Sequence, residues 1–145
     1  MPAGAWDGTI AAVVGGMVGA VTGGLTSWAV SHYSATKARS AAKIDQLEVL
    51  VDSFREVSMS YWRTSGRNDA LERLIITKLD ALGSKLELLK SRKHISASSY
   101  EAAEEARSEL FDEATGGTFQ TKNRTVDSEK VARIKALCDK LLAST

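Results

Sequence analysis

The sequence predicts an all-α chain in which an N-terminal transmembrane helix continues into a cytoplasmic helical hairpin or small bundle. Three observations carry that prediction. Residues 8 to 36 contain no Asp, Glu, Lys or Arg, although the 145 residues hold 19 Lys+Arg and 18 Asp+Glu. Within that interval small residues recur every four positions. After it, apolar residues recur at steps of three and four, in segments separated by Gly, Ser and polar runs. The expected division is a tail and glycine-rich span over 1–36 and a helical domain over 37–145.

The span itself is Ile10 to Val30, with only Thr22, Thr26 and Ser27 polar. A hydrocarbon core needs roughly 20 apolar residues at about 1.5 Å each, which this stretch supplies. The leader before it carries no Lys or Arg, so cleavage as a secretory signal is not expected. Lys37, Arg39 and Lys43 follow it with no acid until Asp45. Basic juxtamembrane residues stay inside, which predicts a single pass of the inner membrane with the N-terminus outside. Trp6 and Trp28 lie about 33 Å apart along a helix, a spacing that suits two interfaces, and Tyr33 reinforces the inner one.

The span has an internal pattern. Ala11, Gly15, Gly19, Gly23 and Ser27 form one row at four-residue steps, and Gly16, Ala20 and Gly24 continue a second beside it from Ala12. At 100° per residue these rows share a broad face, while Ile10, Val14, Met17, Val21, Leu25 and Trp28 occupy the other. In lipid, hydrophobicity does not draw helices together. Close backbone approach across small residues does, so the small face is the expected oligomer interface. Thr22 and Thr26 fall within it, where a hydroxyl can bond its own helix, bond a neighbour or line a narrow wet pore.

Four helices follow from the later periodicities. Ile44, Leu47, Val51 and Phe54 form the stripe of a helix over 37–62, and Thr64 to Arg67 supply its stop. Asn68 or Asp69 caps a second over 69–90, with Leu71, Ile75, Leu79, Leu82, Leu86 and Leu89 as its core. Ser98 and Glu101 match a capping box for a third over 99–115, whose six acids oppose only Arg107 and are placed to answer the basic run Lys90, Arg92, Lys93. Asp127 caps a fourth over 127–143, with Val126 and Val131 as a staple and Val131, Ile134, Leu137, Cys138 and Leu141 as its stripe.

No catalytic constellation accompanies this architecture. The phosphate-loop, zinc-protease, nucleophile-elbow and dinucleotide signatures are missing, and Gly15, Gly16 and Gly19 lie where a phosphate cradle makes no physical sense. His32 and His94 stand far apart and Cys138 is a lone cysteine in an apolar stripe, so no metal site, no cofactor and no enzymatic activity are expected. A net charge of +1 and a basic cluster without an adjacent aromatic predict no specific nucleic acid.

The small-residue span, the basic juxtamembrane helix and the segment Tyr61, Trp62, Arg63 followed by Asp69 to Leu89 resemble the small membrane-anchored effectors of bacterial phage-defence systems. The resemblance implies an effector that oligomerises and permeabilises the inner membrane when a sensor releases it. The expected partners are the lipid bilayer, further copies of the chain and a cytoplasmic protein partner or sensor. The alternative is a membrane-tethered helical adaptor, which would tolerate substitution at Gly15, Gly19 and Gly23 where an assembly would not.

Overall fold

A computed structural model describes the backbone of residues 7–145 and the side chains of residues 31–145. The chain is all-α: α1 (Asp7–Trp62), α2 (Asp69–Ser91), α3 (Ala97–Thr115) and α4 (Ser128–Ala143), with no strand among the described residues. It divides into two units, Met1–Ser40 and Ala41–Thr145. In the first, residues 31–39 are exposed along α1, and the Thr36 hydroxyl donates to the His32 carbonyl. Among the described residues no helix is long and apolar enough to cross a membrane. The span expected over Ile10 to Val30 depends on side chains outside those described.

The second unit is an antiparallel four-helix arrangement, and its polar contacts give the direction of each pair. Lys85 Nζ donates to Gln46 Oε1 at 2.9 Å, Lys78 Nζ to Ser53 Oγ at 2.5 Å, and Tyr61 Oη to Glu72 Oε1 at 3.0 Å, so α2 runs back along α1. Arg133 to Glu113 at 2.8 Å and Lys140 to Glu109 at 2.9 Å run α4 back along α3. Arg55 to Asp139 at 2.6 Å closes α4 against α1. The core is Leu47, Val51 and Phe54 of α1, Ile75, Leu79, Leu82, Leu86 and Leu89 of α2, Leu110 of α3 with three alanines, and Val131, Ile134, Cys138 and Leu141 of α4. Ala103, Ala106 and Ala114 let α3 approach α2 and α4 closely. The bulkier face of α1 stands further off.

Local chemistry sets the boundaries. Gly66 takes φ +80, the left-handed conformation that L side chains disfavour, and its N–H donates to the Arg124 carbonyl at 2.8 Å. Asn68 caps α2 by accepting from Leu71 N–H, and Asp127 caps α4 by accepting from Lys130 N–H at 2.8 Å. Gly83 in mid-helix leaves room for Arg107, whose guanidinium lies 3.4 Å from where a Cβ would stand.

Several sequence expectations are corrected. α3 begins at Ala97 because Ser96, not Ser98, accepts from Ser99 N–H at 3.0 Å; an oxygen three residues before a free N–H fits there and Ser98 lies inside the helix. Two expectations hold: the helix over 37–62 continues the N-terminal one as the end of α1, and Asp127 caps α4, which starts at Ser128. Leu71 is only half-buried and Val126 stays exposed, which leaves the expected staple without a buried partner on one side. The α3 acids answer α4 rather than the run at 90–93: Glu109 takes Lys140 and Glu113 takes Arg133, because α4 lies along that face.

Leu82 and Leu86 are fully buried. Replacing either with Ala removes packed methyls and leaves a cavity, a loss of about 2–5 kcal/mol. Chemical denaturation of the full chain followed by helical circular dichroism checks this, against Leu74→Ala on the exposed side of α2, which should change stability by less than about 1 kcal/mol.

Candidate functional site

The last four carbonyls of a helix have no partner within it, and α1 has no basic residue in its last turn to meet them. Arg63 and Thr64 N–H meet the Met59 and Tyr61 carbonyls locally, and the α3–α4 loop adds further donors. Arg124, 2 % exposed, donates through Nη1 to the Tyr61 and Thr64 carbonyls, and Asp127 N–H donates to the Trp62 carbonyl at 3.0 Å. Its guanidinium lies 3.7 Å from the Tyr61 ring centroid and 5.6 Å from that of Trp62. A planar cation over an aromatic face is held by the ring quadrupole as well as by its hydrogen bonds.

The same two aromatics reach α2 and α3. Trp62 Nε1 donates to the Ala114 carbonyl at 3.1 Å, and Lys130 Nζ sits 4.5 Å from the Trp62 ring while donating to the Glu113 carbonyl at 2.7 Å. Tyr61 Oη donates to Glu72 and accepts from Gln120 N–H at 3.0 Å. Burial raises the Tyr61 phenol, the Gln120 hydrogen bond pulls it back, and Glu72 raises it again. Phe119 completes the cluster with its ring 5.3 Å from Tyr61.

Beside this cluster Arg67, Asp69, Glu72, Arg73 and Gln120 line a cleft of about 340 Å³. Its charges meet one another: Arg67 Nε lies 2.6 Å from Asp69 and 3.5 Å from Glu72, and Arg73 Nε donates to the Asp69 carbonyl at 3.2 Å. Two guanidinium groups and two carboxylates so arranged hold the start of α2. Nucleophilic chemistry would need a base hydrogen-bonded to a nucleophile, and the lining pairs none. Among the described residues no group of His, Cys, Asp and Glu is spaced to hold a metal ion.

The residues singled out from sequence are distributed unevenly. Ala11, Gly15, Gly16, Gly19, Ala20, Gly23, Gly24 and Ser27 of the small-residue face, with Thr22 and Thr26, lie on α1 where side chains are outside those described. Lys37 and Arg39 are exposed on α1 in the first unit, and Lys43 is half-buried in the second. Arg124 and Lys130 escaped the sequence reading because isolated cations in a polar loop and a helix start read as solvated. The signal that could have found them is the adjacent pair Tyr61 and Trp62 at the end of a helix lacking its own terminal base. No family model, curated protein or solved structure matches the chain.

Cys138 is buried, and that burial pushes its thiol from 9.0 up to about 11, against a smaller opposing pull from Arg55. The folded chain therefore holds a proton that the unfolded chain releases. The resulting contribution is intact below pH 9.0 and is lost as pH rises to about 11. Tyr61 acts with the same sign above pH 10.0. Cys138→Ala should flatten the decline between those limits in denaturation curves taken across pH. Arg124→Ala leaves the Tyr61 and Thr64 carbonyls and two rings without their cation and should destabilise the chain by about 2–4 kcal/mol at neutral pH, with Arg124→Lys restoring only part because one ammonium cannot fork and stack together.

Proposed function

We propose that the chain is a non-catalytic, membrane-embedded homo-oligomer that perturbs or permeabilises the bacterial inner membrane. The observation that carries this reading is the charge-free interval 8–36 with its double row of small residues. An interval of that length matches a bilayer core, and two parallel small rows let identical helices approach backbone to backbone. A helical backbone from Asp7 through Trp62 supports it, since a spanning segment must satisfy its polar groups internally. The role as a phage-defence or toxin-like effector rests on the architectural resemblance. The helical second unit then serves as the cytoplasmic part through which a sensor or partner acts.

Side-chain bulk on the small face separates this from the tether. Gly19→Leu should dissociate the assembly in mild detergent while still inserting, because it adds apolar surface and blocks close approach. Met17→Leu, on the opposite face, should leave particle size unchanged. Thr22→Val with Thr26→Val should reduce ion leakage from proteoliposomes with little change in assembly. Large particles that never leak would favour the tethered adaptor, and monomers with full membrane activity would defeat the proposal.

A further inference from the structure

The α1–α2 pairing brings together cations that are distant in sequence. Lys85 lies against Gln46, one turn from Lys43, so the last turn of α2 with Lys90 and the α2–α3 turn with Arg92 and Lys93 lie at the Lys43 end of the second unit. Lys43, Lys85, Arg92 and Lys93 have no carboxylate within ion-pair distance among the described residues, and Lys90 extends over the Tyr100 ring at 4.1 Å. At the opposite end Arg67, Lys130 and Arg133 face carboxylates, whereas Arg73 donates to a backbone carbonyl and Arg63 and Lys122 are exposed without one among the described residues.

Neutral partners recur along the α1–α2 seam. Gln46 and Ser53 stand opposite Lys85 and Lys78 where carboxylates would neutralise them. Burial and the nearby charge of Lys43 both lower the Lys85 ammonium, as expected where cations crowd without counter-ions. Acids do occur at this end. Asp45 and Glu48 lie on other sides of α1 by helical geometry, and Glu101 is exposed at the start of α3. None of them pairs with the cluster.

Lys93 adds an independent mark. The α2 terminus closes as a Schellman turn, with Lys93 N–H donating to the Lys90 carbonyl at 2.9 Å and His94 N–H to the Leu89 carbonyl at 2.8 Å. The left-handed position of that turn is ordinarily glycine, yet here it is an exposed lysine at φ 58.

We propose that this end of the unit, formed by Lys43, Lys85, Lys90, Arg92 and Lys93, docks on the anionic headgroups of the membrane from which the chain emerges. The proposal rests on the membrane reading above for which surface is at hand, and on the cluster for what binds it. Juxtamembrane cations each contribute about a five-fold preference for an anionic leaflet, screened by salt.

The test uses the full chain with Ser91→Cys carrying an environment-sensitive fluorophore, since buried Cys138 does not compete for the label. It is reconstituted into phosphatidylcholine vesicles with or without phosphatidylglycerol, both containing a headgroup-attached quencher. Stronger quenching with phosphatidylglycerol, reversed by salt, is expected. Lys93→Gly should weaken the docking equilibrium about five-fold while raising the denaturation midpoint, so misfolding cannot explain the loss. Lys122→Gln, in the loop at the opposite end, should change nothing. Equal quenching in the two lipid compositions, or a Lys93→Gly variant that docks as before, overturns the proposal. Carbonate extraction of the same vesicles reports on the span separately: a chain that is extracted yet shows salt-sensitive, phosphatidylglycerol-dependent quenching sustains the docking site and defeats the spanning reading.

Discussion

The carbonyls of Tyr61, Trp62 and Thr64, at and just past the end of α1, are met by donors from a distant loop, and that tie organises the second unit. Arg124 and the Asp127 N–H bring the α3–α4 loop onto the end of α1. Once there, the loop sets Gln120 against Tyr61, places Asp127 to cap α4, and delivers Lys130 to Trp62 and to the end of α3. Trp62 in turn spans from α1 to Ala114. One arginine and two aromatics thus connect all four helices at one end, and the apolar stripes zip away from that point. Hydrophobic burial supplies the bulk of the driving force, whereas these directional contacts select which faces meet.

Charge along the unit meets different partners. Arg124, Lys130, Arg67 and Arg133 meet carbonyls, rings and carboxylates, whereas Lys85 meets Gln46, Lys78 meets Ser53, and Arg92 and Lys93 are exposed. In the proposed reading these exposed cations of the α2–α3 turn are the ones an anionic leaflet engages.

Much of the bundle was legible in the sequence because its helices are strongly periodic. Ile75, Leu79, Leu82, Leu86 and Leu89 announce the buried face of α2, and Asn68 and Asp127 announce two caps. The start of α3 was misplaced by two residues because Ser96, Ser98 and Ser99 are chemically equivalent candidates and only backbone direction chooses among them. The acids of α3 were assigned to the nearer basic run, whereas chain reversal sets them against Arg133 and Lys140. The Arg124 cluster was not legible at all: its partners are more than 50 residues apart, and nothing local in a polar loop distinguishes a buried arginine from a solvated one. The small-residue face, by contrast, is a purely sequential signal. Its spacing is complete in the sequence, and its meaning depends on the solvent that surrounds it.

In the proposed reading one helix passes from outside the membrane into a cytoplasmic bundle. Labelling of single cysteines by a membrane-impermeant maleimide in intact spheroplasts expressing the chain tests it most directly, with Gly4→Cys at one end and Ser91→Cys at the other. The account predicts labelling at position 4 in intact cells and at position 91 only after permeabilisation. Protection of position 4 together with exposure of position 91, or equal labelling of both before permeabilisation, would contradict it.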